Sequence, residues 1–177
     1  MNEILKHLYQ QHRDAERMLT ELTEAVRLLR ATGSNGSEAL SALSGCRAAI
    51  QGEVDAHFRQ EEQSLFPVLG RQVGTDEGPI AVLMEEHCAF RQLQLEYEAA
   101  LAALEVGANG DWAERLERAA AGIVSLLPGH IQKEDEVLFP MAEDLLDAAA
   151  WDEVSSLWRQ ASTPPRHDSK YRCGGSD

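Results

Sequence analysis

Cysteine is scarce in this chain and poorly spaced for chemistry. Cys46, Cys88 and Cys173 are the only three, and no two of them form a CxxC pair. That excludes both a disulfide framework and a thiolate zinc site. Positive charge is also in short supply. Lys and Arg number 16 against 30 Asp and Glu, a formal charge of −14, so the basic patches that nucleic acids and anionic membranes select are not expected. Apolar runs of membrane-spanning length are missing, and the opening MNEILKHLYQ lacks the basic-then-apolar order of a signal peptide. The expectation is a cytoplasmic protein with neither a nucleic acid nor a membrane as partner. β-branched residues are sparse and no alternating polar–apolar run stands out, which argues against a sheet.

What is present is helix-forming sequence cut by turns. The clusters ATGSNGS (31–37), VGTDEGP (73–79) and VGANGD (106–111) punctuate long stretches rich in Ala, Leu, Glu, Gln and Arg. From Ile4 to Arg30, apolar residues and His12 recur three to four apart: Leu5, Leu8, His12, Ala15, Leu19, Leu22, Val26 and Leu29. That is the stripe of an amphipathic helix. Ser37 is a candidate N-cap for the second stretch, Gly78-Pro79 opens the third, and Asp111 can cap the fourth. Four long helices with short connections predict an all-α, up-down-up-down four-helix bundle. Trp151 to Gln160 reads as a short fifth helix covering one end of the bundle, and residues 161–177 have the composition of a flexible tail. Residues 1–160 then form one domain, a size that buries a proper core.

The strongest organisational signal is a repeat. HFRQEEQSLFP, from His57 to Pro67, and HIQKEDEVLFP, from His130 to Pro140, share the order His, three residues, Glu, an acid, two residues, Leu-Phe-Pro, in a constant register of 73 residues. Upstream of each lies a lone histidine, His12 and His87, 75 residues apart. The chain thus reads as two helical hairpins, each bringing one lone His and one His-xxx-Glu, facing each other about an approximate two-fold axis.

Residues i and i+4 share a helix face, so His57 with Glu61, and His130 with Glu134, can each converge on one point. Two Glu and four His in one bundle core are unfavourable unless cations compensate them. Imidazole and carboxylate suit iron, manganese or zinc, and bundle cores are where carboxylate-bridged two-metal sites are built. A single His-xxx-Glu is more often a surface pair, but two in matching register with a His on each remaining helix point to metal. In this reading Glu61 and Glu134 bridge, His12 and His57 serve one ion, and His87 and His130 the other. Glu62, Asp135 and Glu136 read as solvated faces, His7 and His167 as uninvolved, and Pro67 and Pro140 as bends just past the ligands.

These residues, over about positions 4 to 145, resemble the hemerythrin family in its bacterial cation-binding branch. The signature is His12, His57-xxx-Glu61, His87 and His130-xxx-Glu134. The resemblance implies two iron ions in a non-haem centre, bridged by two carboxylates and an oxo or hydroxo group, with O₂ bound end-on at an open position in the oxygen carriers. Those carriers have a fifth histidine from a His-xxx-His on the third helix. Here Leu83 and Arg91 flank His87 at four residues' distance, leaving Glu16 and Glu86 as candidates to complete a shell. The expected function is binding or sensing of O₂ or a related small ligand. The alternatives are an enzyme acting on peroxide or nitric oxide with an electron donor as partner, or an iron-handling role, since the ligand spacing is also similar to that of repair-of-iron-centres proteins.

Overall fold

A computed structural model describes residues 2–33 and 36–161. Cys173, His167 and nearly all of the expected tail lie outside the described residues. The described chain is all helix: α1 (Glu3–Thr32), α2 (residues 37–73), α3 (Pro79–Glu105), α4 (residues 112–145) and α5 (Ala148–Ala161). α1 packs on α2 and α4, and α3 packs on α4 and α2, which is the up-down-up-down bundle expected from the sequence. None of these helices is long and apolar enough to cross a membrane.

The helix ends follow local chemistry with two departures. Asn2 caps α1, its Oδ1 accepting from the Ile4 amide at 2.8 Å, and Gly33 ends the helix at φ 73°, where L side chains are disfavoured. Ser37 is not a cap: it is the first helical residue, after Gly36. Asp111 does occupy the N-cap position of α4, but its side chain makes no capping bond.

Two helices are irregular, and each has an irregularity that begins at a ligand candidate. α2 widens into a π turn at Glu61–Leu65 and α4 at Glu134–Leu138. In each, the amide five residues on (Phe66, Phe139) donates to the carbonyl of the glutamate. Pro67 and Pro140 follow directly, with no N–H to continue either an α or a π register. In α4 the Asp135 carbonyl, five residues before Pro140, accepts instead from Tyr9 Oη at 3.3 Å. The prolines therefore mark a one-residue change of helical phase rather than a simple bend. α2 has a further π turn at Ile50–Val54, without a proline and without a counterpart in α4.

The apolar core falls into two clusters. One runs from Met18 and Leu22 through Phe58, Phe90 and Tyr97 to Ile123 and Ile131. The other joins Leu5, Leu8, Leu65, Phe66, Leu83 and Phe139, with Val154 buried in it and Trp151, Leu157 and Trp158 packed against it. The fifth helix covers that end of the bundle, as its sequence implied. Between the clusters lies a polar layer.

Candidate metal centre

That layer consists of His12, His57, Glu61, His87, His130 and Glu134, all buried. α1 supplies His12, α2 supplies His57 and Glu61 one turn apart, α3 supplies His87, and α4 supplies His130 and Glu134. The donor atoms gather into two groups, His12–His57–Glu61–Glu134 and Glu61–His87–His130–Glu134, each with all its atoms within 4.8 Å of one another. Both glutamates belong to both groups.

The distances give the layer its geometry. His12 Nε2 and His57 Nε2 are 3.2 Å apart, as are His87 Nε2 and His130 Nε2. Glu134 turns Oε2 toward His12 Nε2 at 3.1 Å and Oε1 toward His130 Nε2 at 3.2 Å. Glu61 Oε2 lies between His57 Nε2 at 3.4 Å and His87 Nε2 at 3.6 Å.

The tautomers follow from the outer face of each ring. His12 Nδ1 meets Asp135 Oδ1 at 2.6 Å, His57 Nδ1 meets Gln11 Oε1 at 2.9 Å, His87 Nδ1 meets Glu62 Oε1 at 2.7 Å, and His130 Nδ1 meets Glu86 Oε2 at 3.0 Å. Each partner atom is an acceptor, so each Nδ1 carries the proton and each neutral ring presents an Nε2 lone pair inward. Lone pair then faces lone pair across the layer. The four carboxylate oxygens of Glu61 and Glu134 are buried and find no hydrogen-bond partner among the described residues. A cluster of aimed acceptors without donors is what a cation satisfies, and imidazole with carboxylate suits iron or a similar first-row ion.

Electrostatics agree. Burial, then the charge of Glu134, pushes Glu61 well above the ordinary carboxylate range. Burial works against Glu134 as well, yet the charge of His130 when protonated, with the His12 and His57 rings close by, holds it well below that range. Without a cation the two carboxyls therefore share one negative charge. A cation bound there would displace the Glu61 proton, so its binding is expected to strengthen as pH rises.

Burial also pulls His57 from its ordinary 6.5 down to about 4. A depressed folded value means that the stability contributed by neutral His57 is complete above pH 6.5 and is lost as pH falls through about 4. His57 therefore lowers the unfolding free energy of the metal-free protein over that window, against the opposite contribution of the raised Glu61. Denaturant midpoints measured across it check this, and His57→Gln should remove the His57 share of the slope.

Outside the ligand candidates stands a ring of basic residues. Arg13 pairs with Asp135 at 2.6 Å, Arg91 with Glu62 at 2.9 Å, and Lys133 with Glu86 at 2.6 Å. Glu62 and Asp135 are thus not the solvated faces their positions suggested. Their side chains are 4% and 16% exposed and hold rings on the next hairpin. The hydrogen bonds from His87 and Arg91 outweigh burial and keep Glu62 below the usual range. Glu86, a candidate for completing a shell, orients His130 from outside instead. Glu16, the other candidate, pairs with Arg13 and belongs to neither group. Glu136 is exposed, and His7 packs edge-on against Trp158 at 5.7 Å, apart from the layer.

One side of the layer is open. A cavity of about 200 Å³ reaches His12, His57 and His130 between α1 and α2, with Ala15, Ala49, Ala56 and the π turn carrying Gly52 among its walls. His87 does not line it. On that side Phe58 stacks on the His87 ring at 3.7 Å and Phe66 stacks at 5.7 Å.

Comparison with known proteins agrees with this geometry. Residues 3–160 match the Hemerythrin HHE cation binding domain. The chain is 31% identical over 112 residues to the iron-sulfur cluster repair protein DnrN of Neisseria gonorrhoeae, covering 58% of this chain and 66% of that protein. It is 36% identical over 99 residues to the iron-sulfur cluster repair protein YtfE of Yersinia pseudotuberculosis, covering 54% of this chain and 44% of that protein. The matched region spans just under two thirds of the first relative and less than half of the second.

Proposed function

From the premise that the chain belongs to the hemerythrin HHE cation-binding domain family, we propose that it holds two iron ions and admits a small ligand to one of them. The carrying observation is the sharing of Glu61 and Glu134 by two four-residue groups, with all four of their oxygens buried and without a donor. His12, His57, His87 and His130 serve as terminal ligands, two per ion. Iron held there supplies a redox couple and positions open to O₂, NO or peroxide.

The protein's own residues do the rest. Asp135, Gln11, Glu62 and Glu86 fix the ring tautomers and aim each Nε2 inward. Phe58 and Phe66 keep water from the His87 side, and the cavity between α1 and α2 leaves the His12–His57 side open.

A second reading has its own support: DnrN and YtfE are named as iron-sulfur cluster repair proteins. An iron-handling role in such repair would use the same centre, with its open side as the exit.

The test is anaerobic loading with ferrous ion, followed by optical spectra on exposure to NO, O₂ and peroxide in turn. A Cβ at Gly52 meets nothing within 4 Å, so a side chain can start there without a clash. Gly52→Phe should leave metal content unchanged and slow the spectral response to ligand. An unchanged response in that variant would remove the cavity from the account, and spectra insensitive to all three ligands would remove ligand binding.

A further inference from the structure

The two-fold repeat is broken at a position that orients one of the site histidines. The residue before each lone histidine orients the other histidine of its own hairpin: Gln11 takes His57 Nδ1 in the first, and Glu86 takes His130 Nδ1 in the second. The residue after each bridging glutamate orients a histidine across the hairpins: Glu62 takes His87, and Asp135 takes His12. Three of these four acceptors are carboxylates and the fourth is an amide. The Gln11 amide is itself anchored, its Nε2 donating to Gln60 Oε1 at 3.2 Å.

An imidazole that donates Nδ1–H to a carboxylate is a more basic, more strongly donating ligand than one that donates to a neutral amide. The His87–His130 position therefore has two strengthened rings and the His12–His57 position has one. The surroundings add to the difference. His87 and His130 are fully buried, with Phe58 against both rings, and the open cavity is lined by both His12 and His57 but, of the other pair, by His130 alone.

We propose that Gln11, standing where the repeat places Glu86, makes the two metal positions unequal: the His87–His130 position fills first and holds its ion, and the His12–His57 position fills second and exchanges it. Gln11 is a positioning residue that acts through His57. This rests on the two-ion reading given above. It makes the ion beside the cavity the exchangeable one.

The test is a titration of metal-free protein with Mn(II), which binds the same N and O ligands, followed by electron paramagnetic resonance. Wild type is expected to give one magnetically isolated Mn(II) per chain at the first equivalent and a coupled pair at the second. Exchanging the group that orients a ligating ring changes affinity by about 10- to 100-fold, and the two dissociation constants should separate on that scale. Gln11→Glu should bring the constants together and remove the isolated species. Glu86→Gln should weaken the first constant by about 10- to 100-fold. Circular dichroism of both variants confirms that the bundle is intact, and the wild-type titration stands without them. Two ions bound with constants that are indistinguishable in wild type, or a separation unchanged by Gln11→Glu, would overturn the inference while leaving the two-ion centre in place. A single ion at saturation would overturn both.

Discussion

Replacing Glu134 with alanine is expected to abolish binding of both ions, not one. Glu134 is the residue whose two oxygens face different groups, Oε2 toward His12 and Oε1 toward His130. Removing it takes one anionic ligand from each position at once and leaves four histidines around Glu61. Disturbing a group that merely orients a ligand costs about 10- to 100-fold in affinity, so losing a shared ligand should cost at least ~100-fold at each position. Metal quantification after desalting reads this directly. Glu136→Ala, two residues on and exposed, is the matched control and should keep full metal content. Retention of one tightly held ion by Glu134→Ala would mean that the carboxylate does not bridge.

The largest effect on stability is expected at Phe58. The ring is 1% exposed. It stacks on His87 at 3.7 Å, meets Phe90 edge-on at 5.2 Å and His130 at 5.2 Å, and lies under the Arg91 guanidinium at 5.9 Å. Truncation of a buried aromatic to alanine costs about 3–5 kcal/mol through lost transfer energy and the cavity left behind. Phe58→Ala should fall in that range by chemical denaturation of the metal-free protein. It should also admit water beside His87, so that the closed side of the centre becomes open. Phe58→Leu, which keeps most of the volume, should recover most of the stability. A loss below 1 kcal/mol would show that this face of the layer is loosely packed.

Much of this architecture is legible in the residues alone. Glycine and proline clusters mark the helix boundaries, and the register of 73 residues exposes the paired His-xxx-Glu motifs. His12 and His87 stand out because each is the histidine on an apolar helical stripe facing those motifs. The orienting ring was harder to see. Glu62 and Asp135 directly follow the ligand candidates, and a step of one residue turns a helical side chain by about 100°, which looks like a turn to solvent. In a four-helix bundle that step instead points at the next helix. The repeat held the missing signal: both glutamates of the layer are followed by an acid, and both lone histidines are preceded by Gln or Glu.

The prolines show a second limit. Pro67 and Pro140 announce an irregular helix, but a proline specifies only the hydrogen bond it cannot make. Whether the chain kinks or inserts a residue depends on packing. Here α2 and α4 both insert one, so that the π turns begin at Glu61 and Glu134 and the Asp135 carbonyl turns to Tyr9. The further π turn at Ile50–Val54 has no proline to announce it, and it forms part of the cavity wall.

Metal content tests the central claim most directly. Protein isolated without chelators and desalted should carry two iron ions per chain, one for each of the two groups that share Glu61 and Glu134, and should lose them to Glu134→Ala. Less than one metal ion per chain, after ferrous loading of well-folded protein, would contradict the account and leave the buried layer a metal-free polar network.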